Sequence, residues 1–250
     1  MNRLALEPTH PLQKIGILTV VFSLLLPVYA SPVRAYEVAP VPDGGTLEGS
    51  IRFKGDPPAN QSHQVVNNPD FCGSSVQEET FLVNPKNRGF KNVVISIEGV
   101  QKGKGPDNPM ILIQNKNCHF FPHIMTGMAG DTYEVRNSDP VLHNTHLYLE
   151  ENSILNVAMP AGGKNIRKTI GQPGIIKVKC DAHKFMQGWV VISDSPYSAV
   201  SDDEGRFSIG DIPAGKYKVR VWHEALPSVE REITISKGKK SELTVEMEMK

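Results

Sequence analysis

From residue 46 onward, glycine and proline cut the chain into short runs of β-branched and aromatic residues, and that punctuation constrains the fold more than any other feature. No long apolar period of 3.6 residues runs between the breaks, and no repeat of fixed length is present. With 21 glycines and 19 prolines among 250 residues, turns recur often enough to close a strand every few positions, which predicts an all-β chain. That length suffices for one large or two modest domains, each with its own core. Lysine plus arginine and aspartate plus glutamate both number 27, so the chain lacks the positive footprint that nucleic acid requires.

Several runs alternate cleanly. Over 46–53, Leu47, Ile51 and Phe53 face one way and Glu48, Ser50 and Arg52 the other, and Gly55-Asp56-Pro57-Pro58 ends the strand. Val93, Ile95 and Ile97 share one side of a second strand, and Tyr133 and Val135 one side of another. Residues 59–76 read as a polar, irregular stretch whose one chemical handle is Cys72, and residues 150–170 as a loose segment.

Chemistry concentrates between 178 and 191. Cys180, His183 and Met186 place a thiol, an imidazole and a thioether on a short loop between two β-type runs. Ile176, Val178 and Cys180 alternate with Ile175, Lys177 and Lys179, so Cys180 ends the apolar face of a strand. Such donors suit a soft metal cycling between Cu(I) and Cu(II), provided a second imidazole comes from elsewhere. After Asp139-Pro140, His143, Thr145, Leu147 and Leu149 share one face while Asn144, His146 and Tyr148 share the other. His143 therefore points with the leucines, and is the expected second imidazole. A structural zinc site would want several cysteines where this loop has a methionine. A second cluster, Cys118-His119-Phe120-Phe121-Pro122-His123, is either a further metal site or a proline-bounded turn covering the core. Spacing alone does not decide whether Cys72 and Cys118 pair; if they do, Cys180 is the odd thiol, and metal ligation accounts for it.

His143-Asn144-x-His146 followed by Cys180-x2-His183-x2-Met186 resembles the cupredoxins of the amicyanin and plastocyanin type, over roughly 131–193. The resemblance implies a cupredoxin-like β-sandwich with one type 1 copper per chain, ligated by His143, Cys180, His183 and Met186, with Asn144 steadying the two ligand loops. It further implies a one-electron carrier rather than an enzyme, meeting a redox protein partner through a docking face near His183. The alternatives are a copper-dependent enzyme with a second copper on His119, His123 or His146, and a copper-binding module docked through its C-terminal β domain. No nucleophile elbow, phosphate loop or His-Glu-x-x-His motif is present.

Beyond Ser193, the rhythm Asp202-x-x-Gly205-x-Phe207 and Pro213-x-Gly215-x-Tyr217 resembles the carboxypeptidase-regulatory-like module, a small transthyretin-type β-sandwich. So short a tail cannot close such a sandwich without exposed edges, so the strands near 46–53 and 92–99 are expected to complete it, with the copper unit inserted between.

The expected organisation is a signal peptide over 1–30, a linker over 31–44, an N-terminal β segment over 45–105, a cupredoxin-like copper domain over 106–193 and the carboxypeptidase-regulatory-like domain over 194–250. Arg3 and Lys14 precede an apolar core at 15–26, and Val28-Tyr29-Ala30 offers a cleavage site, with a second after Ala35. The apolar core at 15–26 spans only twelve positions, too few for a stable membrane span, so the expected location is periplasmic or secreted.

Overall fold

A computed structural model describes residues 36–249; the signal-peptide and cleavage readings fall on residues outside them. The described chain is all-β apart from one helical turn, Pro69–Cys72, and its strands form β-sandwiches. No helix among the described residues is long and apolar enough to cross a membrane.

Strands from both ends of the chain build one sandwich. Gly45–Phe53 lies between Arg206–Ile212, antiparallel to it, and Lys240–Met247, parallel to it with Phe53 opposite Met247. The facing sheet runs Ser198–Val200, Val94–Glu98, Gly215–His223, Leu226–Ile235. Its core joins early and late residues: Leu47, Ile51, Phe53, Phe90 and Ile95 pack with Phe207, Ile209, Val219 and Val245. Gly49 is required by this closeness, since a Cβ there would lie 1.8 Å from the Leu243 carbonyl oxygen. Ahead of this sheet, Glu37–Val38 pairs in parallel with Lys102–Gly103, and the Tyr36 hydroxyl donates to the Lys104 carbonyl at 2.6 Å, which pins the arm.

The middle of the chain builds the second sandwich. One sheet runs Ile166–Thr169, Thr132–Asn137, Met110–Lys116, His119–Phe121. The other runs Asn152–Met159, His143–Leu149, Gly174–Lys179, Gln187–Ser193, Ile124–Met128. Ile113, Phe120, Val135, Leu147, Ile176, Val178 and Val190 fill the space between them. The stretch 150–170 is not loose: it supplies the two outer strands Asn152–Met159 and Ile166–Thr169. The first of these buries only Leu155 and Met159, so its pattern in sequence is faint.

The two sandwiches meet through Val94, Ile124, Val191 and Trp222, with Trp189 edge-on to Trp222. His123 and Glu224 form a buried hydrogen-bonded pair across this junction, and Trp189 Nε1 donates to the same carboxylate at 2.7 Å. Burial pushes the Glu224 carboxyl up, but the His123 and Trp189 hydrogen bonds outweigh it and hold the group below the usual carboxylate range.

Candidate metal centre

His143 opens a central strand and Cys180 follows the end of its neighbour. The pairing of His146 with Lys179 puts the residues just before one beside those just after the other. Burial alternates along His143–Leu149 as the sequence predicts, with His143, Thr145 and Leu147 buried and Asn144, His146 and Tyr148 on the partly open side. The loop from Cys180 is pinched at its neck by the Lys179–Gln187 pair and curled by the Met186 N–H, which donates to the His183 carbonyl at 2.9 Å. That curl returns His183 over Cys180.

One nitrogen from each of His143 and His183 and the Cys180 sulfur lie within 4.8 Å of one another, all three residues buried. His183 Nδ1 is 3.8 Å from Cys180 Sγ, and the two imidazole rings are 4.8 Å apart at an angle of 51°. Met186 is buried in the same core. The Asn144 backbone N–H donates to Cys180 Sγ at 3.3 Å, and its side-chain oxygen accepts from the Asp181 N–H at 3.1 Å, so one residue ties both ligand segments together.

Partners on the far side of each ring set the tautomers. Asp139 Oδ2 accepts from His143 Nε2 at 2.8 Å, leaving Nδ1 as a lone pair. That His143 Nδ1 is fully buried with no hydrogen-bond partner. Asn68 Oδ1 accepts from His183 Nε2 at 3.2 Å, which frees the His183 Nδ1 lone pair toward Cys180. An orphaned buried nitrogen facing a buried thiol and a second imidazole is what a metal ion would satisfy.

Burial lowers the pKa of both histidines, against the opposing pull of Asp139 on His143, so both stay neutral donors at physiological pH. Burial also pushes the Cys180 thiol up, although the backbone N–H groups of Asn144, His183 and Ala182 pull the other way. Without a cation nearby the sulfur keeps its proton; a bound metal is what would make it a thiolate.

His183, near which the resemblance places the docking face, is itself buried, with a relative exposure of 1%. Residues 62–77 cover it. Ser62–Gln64 and Ser75–Gln77 pair as a hairpin whose tip carries Asn67, Asn68 and the Pro69–Cys72 turn. Asn67 Nδ2 donates to the Ala182 carbonyl at 2.7 Å, and Cys72 Sγ stands 3.9 Å from His183 Nε2. Cys72 is bonded to Cys118, which fastens the cover to the second sandwich and leaves Cys180 the free cysteine. Asp139 also accepts from the N–H groups of Asn117 and Cys118, at 2.7 and 2.9 Å, so it organises the base of the bridge as well as His143.

The other histidines are engaged elsewhere. His119 Nδ1 contacts the Asn117 carbonyl, His123 pairs with Glu224, and His146 pairs with Asp181, Tyr148 and Ser153. Among the described residues none of the three joins a cluster of three metal donors.

Residues 188–248 match the model of the carboxypeptidase regulatory-like domain. The structure is similar to cupredoxins. A purple cupredoxin from Nitrosopumilus maritimus is 23% identical over 34% of this chain and 98% of its own, with a TM-score of 0.29. Amicyanin from Paracoccus versutus is 19% identical over 40% of this chain and 97% of its own, with a TM-score of 0.31. A copper-containing nitrite reductase from Thermus scotoductus is 17% identical over 39% of this chain, with a TM-score of 0.31, and the match spans only 24% of that enzyme. No curated protein matches the chain.

Proposed function

We propose that this protein is an exported copper protein that carries one electron at a time between redox partners. The observation that carries the proposal is the unpartnered, buried His143 Nδ1 facing the free thiol of Cys180 and the lone pair of His183. His143, Cys180 and His183 would hold the metal in a trigonal set, with Met186 as the weak fourth donor. A copper ion bound there would supply a one-electron couple between Cu(I) and Cu(II).

The protein's part is to keep the donors still. Asp139 and Asn68 fix the two rings from behind, and the Asn144 N–H fixes the sulfur. Strand pairing on both sides of the Cys180–Met186 loop holds the donor spacing, so little has to move as the charge changes. Burial of all four side chains excludes water and exchangeable ligands. A partner docking at this end would meet the cover, where Val66 and Phe71 are exposed, rather than the imidazole edge itself. The carboxypeptidase-regulatory-like sandwich is the rigid base on which the copper unit is mounted.

Copper titration of the metal-free chain, followed by visible absorption, tests the proposal. One equivalent should produce an intense thiolate-to-copper band that is absent in Cys180→Ser. A colourless copper-loaded chain would refute it.

A further inference from the structure

The carrier reading explains Cys180 but gives no use to the two other sulfurs, which lie against the same imidazoles. On His183, Nδ1 faces Cys180 Sγ at 3.8 Å and Nε2 faces Cys72 Sγ at 3.9 Å. Cys118 Sγ, an Asp139 carboxylate oxygen and a His143 nitrogen form a second buried group of donors within 4.8 Å of one another. The bridge between Cys72 and Cys118 therefore sits directly outside the primary donor set. It also fastens the cover that seals that set, whose members are all at most 2% exposed.

We propose that Cys72 and Cys118, in their dithiol form, are a Cu(I) acceptor site completed by His183 Nε2, and that closing the bridge seals the metal inside. Two soft thiolates and an imidazole match Cu(I). The ring serves the two positions in turn: to bind the entering ion at Nε2 it gives up the proton it now donates to Asn68 and carries one on Nδ1 instead, and it returns to the Nε2–H form, with the Nδ1 lone pair toward Cys180, once the ion is inside. Closure is an exchange with an external disulfide. The Cys72 and Cys118 sulfurs form their S–S bond and give up two electrons and two protons, while the S–S bond of the external disulfide breaks to two thiols. The destination of the ion rests on the proposed function; the thiol site does not.

The test uses full-length Cys180→Ser protein, so that the inner site cannot contribute, and titrates Cu(I) against a chromophoric Cu(I) chelator. The disulfide form and the form reduced by a phosphine, with the phosphine then removed, are compared. The reduced form should take one Cu(I) per chain from the chelator and the disulfide form none, and adding Cys72→Ser should abolish that uptake. In the wild-type background, the reduced metal-free chain should fill the Cys180 site faster than the Cys72→Ser/Cys118→Ser chain, whose cover is loosened but carries no thiols. Equal Cu(I) uptake by reduced and disulfide Cys180→Ser would overturn the proposal. So would equal loading rates of the reduced wild type and the double-serine chain, or loss of the cooperative thermal transition on reduction, since the site needs the folded cover. Uptake by reduced Cys180→Ser with no thiolate-to-copper band in the wild type would keep the thiol site and remove the carrier reading alone.

Discussion

Asp139 braces His143 from behind: its Oδ2 accepts the His143 Nε2–H at 2.8 Å, and both side chains are buried. The same carboxylate accepts the N–H groups of Asn117 and Cys118, so the ligand ring and the base of the disulfide share one anchor. Asp139→Asn would present an amide N–H where the ring now finds an acceptor, releasing the ring to turn. Copper affinity should fall about 10- to 100-fold, as is usual when the hydrogen-bond partner of a ligand is lost. Competition titration against a copper chelator measures this, and an unchanged affinity would show that the brace is not needed.

Met186 and Cys180 should separate cleanly under mutation. Cys180→Ser removes the only free thiol of the chain and with it the charge-transfer band. Met186→Leu keeps volume and apolarity in a packed core, so the fold and the colour should persist while the reduction potential moves. Voltammetry of the two variants checks both statements.

The Cys72–Cys118 bridge closes a loop with a sequence separation of 46. Replacing both cysteines by serine should cost on the order of 2–4 kcal/mol, chiefly by freeing the unfolded chain. Denaturant titration reads the cost. A second consequence is local: His183 should become reachable by a histidine-modifying reagent, because Asn67, Asn68 and Cys72 would no longer be fastened over it.

How much of this was legible in sequence depended on how far apart the contacting residues lie. The alternation through His143–Leu149 could be read because one face is buried and the other is not, which selects His143 over His146 without any structure. The strand Asn152–Met159 could not, because an outer strand with two buried side chains leaves no period to find. The cover was invisible for another reason. Its contacts, Asn67 to Ala182 and Asn68 to His183, are polar and 115 residues apart, and the Asn67-Asn68 end carries no motif. The docking face expected near His183 came from family resemblance, which carries no information about the upstream segment that buries this ring. Asp139 was within reach: a carboxylate four residues ahead of an inward histidine, beside a proline turn, is well placed to orient that ring.

His223 sets an acid limit on the fold. It is buried, donates from Nε2 to the Thr80 carbonyl at 2.9 Å and packs against Phe90, the ring centres 4.4 Å apart at a tilt of 39°. Burial pushes its pKa down to about 4, against the raising pull of Glu224 and the Thr80 carbonyl. Between about 4 and the ordinary value of 6.5, the unfolded chain takes up a proton that the folded chain refuses. Stability from this residue is therefore complete above pH 6.5 and is lost as the pH falls toward 4, by on the order of 3 kcal/mol. Unfolding free energies measured across that window should slope upward with pH, and His223→Gln should flatten the slope.

Electron paramagnetic resonance of the copper(II)-loaded chain tests the central claim most directly, because covalency with a thiolate shrinks the parallel hyperfine splitting. The account predicts one copper per chain with that small splitting, lost in Cys180→Ser and retained in His146→Gln. A large splitting typical of copper on nitrogen and oxygen ligands, unchanged when Cys180 is replaced, would contradict it.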